Sequence, residues 1–534
     1  MKRYDLIVVG AGPAGLSAAA QAARLGMRVA VFDENDRPGG QLFKQIHKFF
    51  GSKEHKAKMR GIQIGRELLE EATCLGVEVR LGAVVTGVYF PLKIGVHEQG
   101  HMTSYSADNI LIATGASENV IPFAGWTLPG VIGAGAAQTM MNLHGVKPGE
   151  RVLMVGSGNV GLVVSYQLLQ AGCQVAAVID AAPRVGGYGV HAAKVARTGV
   201  PFYLSHTVLR AEGETRVTGV TIARVDETWQ PVPGSERHFD VDTICLAVGL
   251  SPMSQLTRMA GCQMKEVAGA LVPVTDEYGA TSVAGLYAAG DVAGIEEASS
   301  AMIGGRIAAL AAARRSGFVE DGEFEEEYQA LRRSLGQLHQ GLFAPENRGK
   351  TDLTKTDEGL PLSQSLFARG YLEQEEVERY PGAARPQKAG VRPVIECSQN
   401  IPCNPCQDAC QFGCIRVGET ITSLPCVNQE AQCRNCGLCV AACSGQAIFL
   451  VDETYAPGYA AVTLPYEFLP LPRVGERGAG LDRSGQPVCP AEVVDVRTAK
   501  AFDHTALLTI KVPADMAMTA RFYRAAEEGG DAGC

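Results

Sequence analysis

The chain has 534 residues, and 48 Lys plus Arg against 57 Asp plus Glu give a formal charge of −9. That length implies several domains, and an acidic balance with no basic stripe excludes a general nucleic-acid footprint. Hydrophobic residues at 46% and charged residues at 20% exclude a disordered or fibrous chain; no apolar run approaches the roughly 18 residues that span a bilayer, and a strand pattern that begins by Tyr4 leaves no room for a signal peptide, so a cytoplasmic protein is expected.

Residues 4–9 (YDLIVV) form an apolar run with strand character, followed by GAGPAG and the alanine-rich helix pattern LSAAAQAARLG. Gly10 permits the tight turn, Gly12 lets a pyrophosphate approach the backbone, and Gly15 lets the helix pack on the strand with its N-terminal amides aimed at the anion. The next strand, RVAVF, ends at Asp33, 23 residues after Gly10, a spacing suited to a carboxylate that binds a ribose hydroxyl. The unit recurs in RVLMVGSGNVGLVVSYQLLQAGCQVAAVID, with Gly156, Gly158 and Gly161 in the loop and Asp180 at the end of the following strand. Two such units bind two nucleotides. Asp180 accepts from a free 2′-hydroxyl and repels a 2′-phosphate, which favours NAD over NADP, although Arg184 stands close by in the sequence.

NILIATG ends on Thr114 and Gly115, and GLYAAGDVAG carries Gly290 and Asp291. The order GAGPAG, GGQ, ATG, second GxGxxG and AAGD resembles the thioredoxin reductase-like flavoproteins with two dinucleotide domains, over about residues 1–315. The resemblance implies an α/β fold with two Rossmann-like domains: an FAD domain in two parts, 1–120 and 275–315, around an NAD domain at 121–274. It also implies that FAD occupies the first loop, that Asp291 binds its ribityl and pyrophosphate region, and that Gly39, Gly40 and Gln41 lie beside the isoalloxazine. A helix beginning near Ser299 then points its positive end at the flavin pyrimidine. Disulfide reductases of this kind need a cysteine pair beside the flavin, and DRPGGQLFKQIHKFF has none, so disulfide chemistry is not expected. Cys74, Cys173, Cys245 and Cys262 read as small buried hydrophobes.

Residues 316–390 change character, with an acidic run that reads as a solvated helix face and then a Pro/Gly-rich connection, a helical insert and linker. His47 and His339 read as packing or surface residues. Ten of the 16 cysteines then fall between Cys397 and Cys443, which in a chain without a secretory signal reads as metal ligation. Cys433, Cys436, Cys439 and Cys443 have the CxxCxxCxxxC spacing of a bacterial ferredoxin loop; Cys397, Cys403, Cys406 and Cys410 repeat the rhythm after a longer first gap. Eight ligands make two [4Fe–4S] clusters. Crossed ligation puts Cys397, Cys403, Cys406 and Cys443 on one and Cys410, Cys433, Cys436 and Cys439 on the other. Cys414 and Cys426 are left over and each could displace a named ligand; structural zinc on the same residues is the competing reading. The ferredoxin-like domain is thus drawn at 391–452. Residues 453–534 read as a β-rich module closed by one short helix and a tail.

Clusters pass single electrons and nicotinamide exchanges a hydride, so a flavin between them converts one currency to the other. No catalytic residue is identified, and no Ser/His/Asp set or carboxylate pair suggests hydrolysis. GWTLPGVIGAGAAQ and GGQLFKQ resemble the large flavin subunit of bacterial amino-acid and amine dehydrogenases, the group of hydrogen cyanide synthase, opine oxidase and dye-linked proline dehydrogenase. That resemblance implies a hetero-oligomer in which a glycine-oxidase-like flavoprotein subunit oxidises the amine and this chain handles the electrons, with a small iron–sulfur subunit or ferredoxin as a further partner. The departure is a two-cluster domain where that group has a small [2Fe–2S] module. A self-contained NAD(P)H:ferredoxin-type oxidoreductase and a non-catalytic nucleotide-binding scaffold are the other readings.

Overall fold

Strand Lys2–Val9 is apolar along most of its length because it lies inside a parallel sheet, between Val29–Phe32 and His101–Ile112. The computed structural model describes residues 2–348, 350, 352–385 and 388–526. It divides into two units: Met1–Phe49, Glu54–Asn119 and Gly249–His339 in the first, and Phe50–Lys53, Val120–Val248 and Gln340–Cys534 in the second. Among the described residues no helix is long and apolar enough to cross a membrane.

In the first unit the parallel strands run in the order Glu78–Arg80, Val29–Phe32, Lys2–Val9 and His101–Ile112. The long last strand pairs antiparallel with Lys93–Glu98 near its start and parallel with Leu286–Ala288 near its end. Helix Pro13–Arg24 packs against helix Ala298–Arg315 through buried Ala18, Ala19, Ala22, Ala308, Ala309 and Ala312. Small side chains let the two backbones approach: a Cβ on Gly305 would lie 2.1 Å from the Ala14 carbonyl oxygen. The acidic run folds as helix Asp321–Leu338, which lays Phe324, Tyr328 and Leu331 on Ile303, Ile307 and Leu310 and leaves its charges outside. This helix belongs to the first unit rather than to a linker.

The return to that unit comes at Gly249, earlier than the expected 275. Ala116–Glu118 pairs antiparallel with Leu250–Pro252, Thr114 Oγ1 donates to the Met253 carbonyl (2.8 Å) and Met253 N–H to that of Gly115 (2.9 Å). Backbone groups that leave a sheet need partners, and the returning strand supplies them before helix Gln255–Met259 and hairpin Met264–Pro273, placed by expectation in the other domain.

The second unit holds a five-stranded parallel sheet, ordered Phe202–Leu204, Gln174–Asp180, Arg151–Val155, Thr243–Leu246 and Val131–Gly133. It also holds a seven-stranded antiparallel sheet from Arg392–Ile395, Ile448–Ala456, Tyr459–Tyr466, Ala506–Pro513, Pro487–Arg497, Arg477–Leu481 and Phe522–Ala525. Residue 452, where the sequence suggested a border, lies inside strand Ile448–Ala456, so the cysteine-rich loops and the β-rich module share a sheet. The expected short C-terminal helix is reduced to the 3-10 turn Ala514–Met516, and the chain goes on as the strand Phe522–Ala525, taken up as an edge partner by Arg477–Leu481; residues 527–534, with Cys534, lie outside the described residues.

An ionic knot fixes Glu396, the residue that precedes Cys397. Glu396 accepts from Arg483 Nε (3.0 Å) and Nη2 (2.6 Å) and from Arg521 Nε (2.6 Å), and all three side chains are buried. Burial alone would raise the Glu396 pKa, but the two guanidinium groups outweigh it and hold it at about 2. A carboxylate depressed below its ordinary 4.5 contributes stability above that pH and loses it as the pH falls towards 2. Glu396→Gln strands two buried cations, so denaturant unfolding at pH 7 should show a loss of about 3–5 kcal/mol. The wild-type advantage over this variant should shrink between pH 4.5 and 2; an advantage that is flat over that range would refute the assignment.

Candidate functional site

The first glycine loop is shaped by what its Cβ positions would strike. Gly10 has φ 107°, and a Cβ there would lie 2.3 Å from the Ala113 carbonyl oxygen, where the Thr114 strand end crosses; on Gly15 it would lie 1.9 Å from the Gly10 carbonyl oxygen. At Gly12, the N-cap of helix Pro13–Arg24, a Cβ meets only Gly40 Cα at 4.0 Å. The loop is therefore closed by protein at Gly10 and Gly15 and open at Gly12, where a phosphate would approach the helix N-terminus.

Asp33 is buried and braces this loop: Oδ2 accepts from Ala11 N–H (2.6 Å) and Oδ1 from Asn35 N–H (2.8 Å). Gly39 donates to the Ala11 carbonyl (2.7 Å), and Gly40 presses on Gly12, so the GGQ segment lies over the loop with Gln41 exposed. Gly290, at φ 75°, lets the AAGD turn rest on Ala14, and Asp291 Oδ1 accepts from Glu296 N–H (3.1 Å) ahead of helix Ala298–Arg315. Ser299 sits in the first turn of that helix and donates to the His55 carbonyl (3.2 Å). Lys44, which the sequence did not single out, is buried in the 3-10 turn after Gly40; burial pulls its pKa down and the Glu118 carboxylate opposes this.

The second loop has nearly the same geometry. Gly156 has φ 109°, with its Cβ position 2.2 Å from the Ala247 carbonyl oxygen; that of Gly161 is 2.0 Å from the Gly156 carbonyl oxygen; that of Gly158 meets nothing within 4 Å. Asp180 accepts from Ser157 N–H (2.7 Å), Ser157 Oγ (2.6 Å) and Ala182 N–H (2.9 Å). A glycine pair closes over this loop too: Gly187 N–H donates to the Ser157 carbonyl (2.9 Å) and Tyr188 N–H to Asn159 Oδ1 (2.8 Å). A repeated signal for this pair is present in the chain, Asp-x3-Arg-x-Gly-Gly at 33–40 and again at 180–187.

The segment continues directly to the cysteines. Gly189 N–H donates to Oε1 of Gln399 (2.7 Å), between Cys397 and Cys403, and Tyr188 and Val190 pack with Cys397, Cys403 and Cys443. Of the expected first group, Cys397, Cys403, Cys406 and Cys443, the Cys403 thiol lies in the fields of the other three; of the expected second, Cys410, Cys433, Cys436 and Cys439, the Cys439 thiol lies in the fields of the other three and of Cys406 as well. Burial pushes the thiols of Cys397, Cys403, Cys406 and Cys439 up, that of Cys406 to about 12, and neighbouring thiolates add to the rise. Such donors ionise together only around a positively charged core, which fits an iron–sulfur cluster. Among the described residues no group of three or more His, Cys, Asp or Glu side chains is arranged to hold a single metal ion.

Cys414 is buried against the second group: its N–H donates to Cys410 Sγ (3.2 Å), and it lines the same small pocket as Cys410, Cys433, Cys436 and Cys439. Cys426 lies in the short strand Cys426–Val427. Of the four isolated cysteines read as buried, Cys173, Cys245 and Cys262 are, whereas Cys74 is exposed at the end of helix Gly61–Cys74. His339 is 3.2 Å from Glu296, and His47 stacks on Phe49.

Residues 4–317 match the family model described as pyridine nucleotide-disulphide oxidoreductase, and the chain belongs to that family, whose members are FAD-dependent oxidoreductases with FAD/NAD Rossmann folds. It is 36% identical over 336 residues to an opine oxidase subunit of Agrobacterium tumefaciens, covering 58% of this chain and 65% of that one. It is 30% identical over 322 residues to hydrogen cyanide synthase subunit HcnB of Pseudomonas aeruginosa, covering 57% and 69%. This chain thus spans just under two thirds of the opine oxidase relative. The fold is that of a solved T. acidophilum thioredoxin reductase, with a TM-score of 0.50 at 23% identity over 59% of this chain and 99% of that one.

The loop geometry separates folding from binding. Gly12→Ala adds a methyl group into open space and should cost about 1 kcal/mol or less in unfolding free energy, while the purified protein loses most of its FAD. Gly15→Ala drives a methyl group into the Gly10 carbonyl and should cost about 1–3 kcal/mol. Full flavin content in Gly12→Ala would refute the placement of the pyrophosphate.

Proposed function

We propose that this pyridine nucleotide-disulphide oxidoreductase is the electron-transfer subunit of a multi-subunit amino-acid or amine dehydrogenase. In this reading it carries FAD in the first loop, NAD in the second and two [4Fe–4S] clusters on the eight cysteines, and works in the cytoplasm beside a glycine-oxidase-like flavoprotein. The observation that carries the reading is the run Asn159, Tyr188, Gly189, Gln399, in which the loop that would bind the second nucleotide is hydrogen-bonded to the segment that holds the first cysteine group.

When bound, the cofactors supply hydride exchange at nicotinamide, single-electron exchange at iron, and a flavin that serves both. The chain supplies placement and charge. Asp33 holds the first loop open at Gly12, and the N-terminus of helix Ala298–Arg315, fixed by the Ser299 bond to His55, offers its positive end. Asp180, already accepting three hydrogen bonds, puts negative charge where a 2′-phosphate would sit, which favours NAD. The second cysteine group borders exposed Phe412 and Arg434, so an outside donor or carrier would meet it there.

Cys436→Ser should remove the iron of one cluster, leave FAD bound, and abolish reduction of an external carrier while NADH still bleaches the flavin. Iron and acid-labile sulfide at the wild-type level in that variant would sink the ligand assignment. Co-expression with a glycine-oxidase-like flavoprotein should yield a stable complex that reduces NAD with an amino acid or amine. A chain that stays alone and passes electrons from NADH to ferredoxin would favour the self-contained oxidoreductase.

A further inference from the structure

We propose that Arg197 is a positioning residue for the first cysteine group, and that its charge makes the cluster held there easier to reduce. The inference rests on the two-cluster reading above. Arg197 ends helix Gly189–Ala196, which begins where the glycine pair closes over the second nucleotide loop. Its side chain is buried; Nη1 donates to the Gln446 carbonyl (2.8 Å) and Nη2 to Gln446 Oε1 (3.2 Å). Gln446 belongs to the turn after Cys443: its N–H donates to the Cys443 carbonyl (3.1 Å), and Ala447 N–H donates to Cys443 Sγ (3.3 Å). The same Oε1 accepts from the hydroxyl of Tyr166 (2.8 Å), on the helix that starts at the second glycine loop. Both helices of that nucleotide-binding motif therefore grip the turn that carries the last ligand of the first group.

Arg197 makes no direct ion pair, while the fields of Glu396 and Glu467 reach it and it lies over the Phe449 ring at 5.5 Å. Among the described residues no carboxylate is paired with it, since Glu396 is taken by Arg483 and Arg521, and its Nε has no hydrogen-bond partner. Its two hydrogen bonds to Gln446 hold the turn in which Ala447 N–H donates to Cys443 Sγ, so its charge lies one short turn from that sulfur. A cluster on Cys397, Cys403, Cys406 and Cys443 places negative charge near that guanidinium, and one-electron reduction adds more, which the cation stabilises. Beside the second group, buried Arg392 donates to the Ala431 carbonyl, two residues before Cys433. Each group thus has a separate arginine, which makes the idea testable one cluster at a time.

The experiment is an anaerobic redox titration of the full-length protein followed by electron paramagnetic resonance, on wild type, Arg197→Gln, Arg197→Lys and Arg392→Gln, with iron and sulfide assayed in each. Arg197→Gln should lower the reduction equilibrium of one cluster about tenfold, which is ~59 mV for a one-electron couple, with iron content unchanged and the other cluster unmoved. Arg197→Lys keeps the charge and should restore most of that shift, and Arg392→Gln should move the other signal. Equal midpoints in wild type and Arg197→Gln, or a shift of both clusters together, would overturn the tuning role. Loss of the first cluster's iron in both Arg197 variants would overturn it as well, leaving Arg197 as a brace of the Cys443 turn. Wild-type protein that takes up no iron and sulfide on reconstitution would instead overturn the cluster reading, and this inference with it.

Discussion

Under the two-cluster reading, negative charge that must be kept inside the protein is the constraint to which the second unit is built. A thiolate taken from water into an apolar interior is expensive unless positive charge or hydrogen-bond donors come with it, and the Cys397, Cys403, Cys406 and Cys443 group is surrounded by both. Donors come from the backbone, as Ala447 N–H on Cys443 Sγ. Cations come from distant stretches of chain: Arg197 from the nucleotide-binding lobe, and Arg483 and Arg521 from the β-rich module, with Glu396 balancing part of their charge. This accounts for the C-terminal sheet being continuous with the strands that flank the cysteines. A separate module could not bring Arg483 and Arg521 to a carboxylate next to Cys397.

The two glycine loops answer the opposite problem, an anion that arrives with its ligand. Both solve it with backbone. Gly10 and Gly156 take nearly the same positive φ, both face a carbonyl oxygen at a distance no Cβ tolerates, and both leave the N-cap glycine open. In each, an aspartate at the end of the next strand holds the N–H just after the first glycine. The carboxylates therefore have a structural task, and the loop is set before any nucleotide enters. Preorganisation of this kind lowers the ordering cost of binding.

What could be read from the sequence is what depends on short spacing. The glycine triplets, the aspartates that follow them and the CxxC rhythms are local patterns, and the structure gathers the residues of each loop at one helix N-terminus. What could not be read depends on partners far along the chain. Nothing near Arg197 announces Gln446, and nothing near Glu396 announces Arg483 or Arg521. The return at Gly249 is decided by backbone pairing with Ala116–Glu118, which leaves no mark on composition. Residues 514–525 have helix-forming alanines and methionines, yet Phe522–Ala525 is a strand because Arg477–Leu481 offers a free edge, and tertiary pairing overrides propensity. The second glycine pair is different: it repeats the 33–40 pattern, so a local signal for it exists, but only the structure shows that the pair closes over the loop.

The two cysteine groups differ in how they are walled, and under the two-cluster reading that difference gives the path a direction in space. An aromatic layer lies beside the first group, with Phe50 edge-on to Tyr188 at 5.0 Å and to His191 at 5.1 Å, and Tyr188 against Phe343 at 4.5 Å. These rings exclude water and lower the local dielectric, which strengthens every charge near Cys397 and Cys443. The pocket of the second group is instead edged by Phe412, 46% exposed, and by exposed Arg434. A large apolar side chain left in water beside a pocket of thiols has little to do in an isolated chain, and fits a surface that another protein covers. The first group thus lies beside the nucleotide-binding lobe through Tyr188 and Val190, and the second lies at the surface beside Phe412.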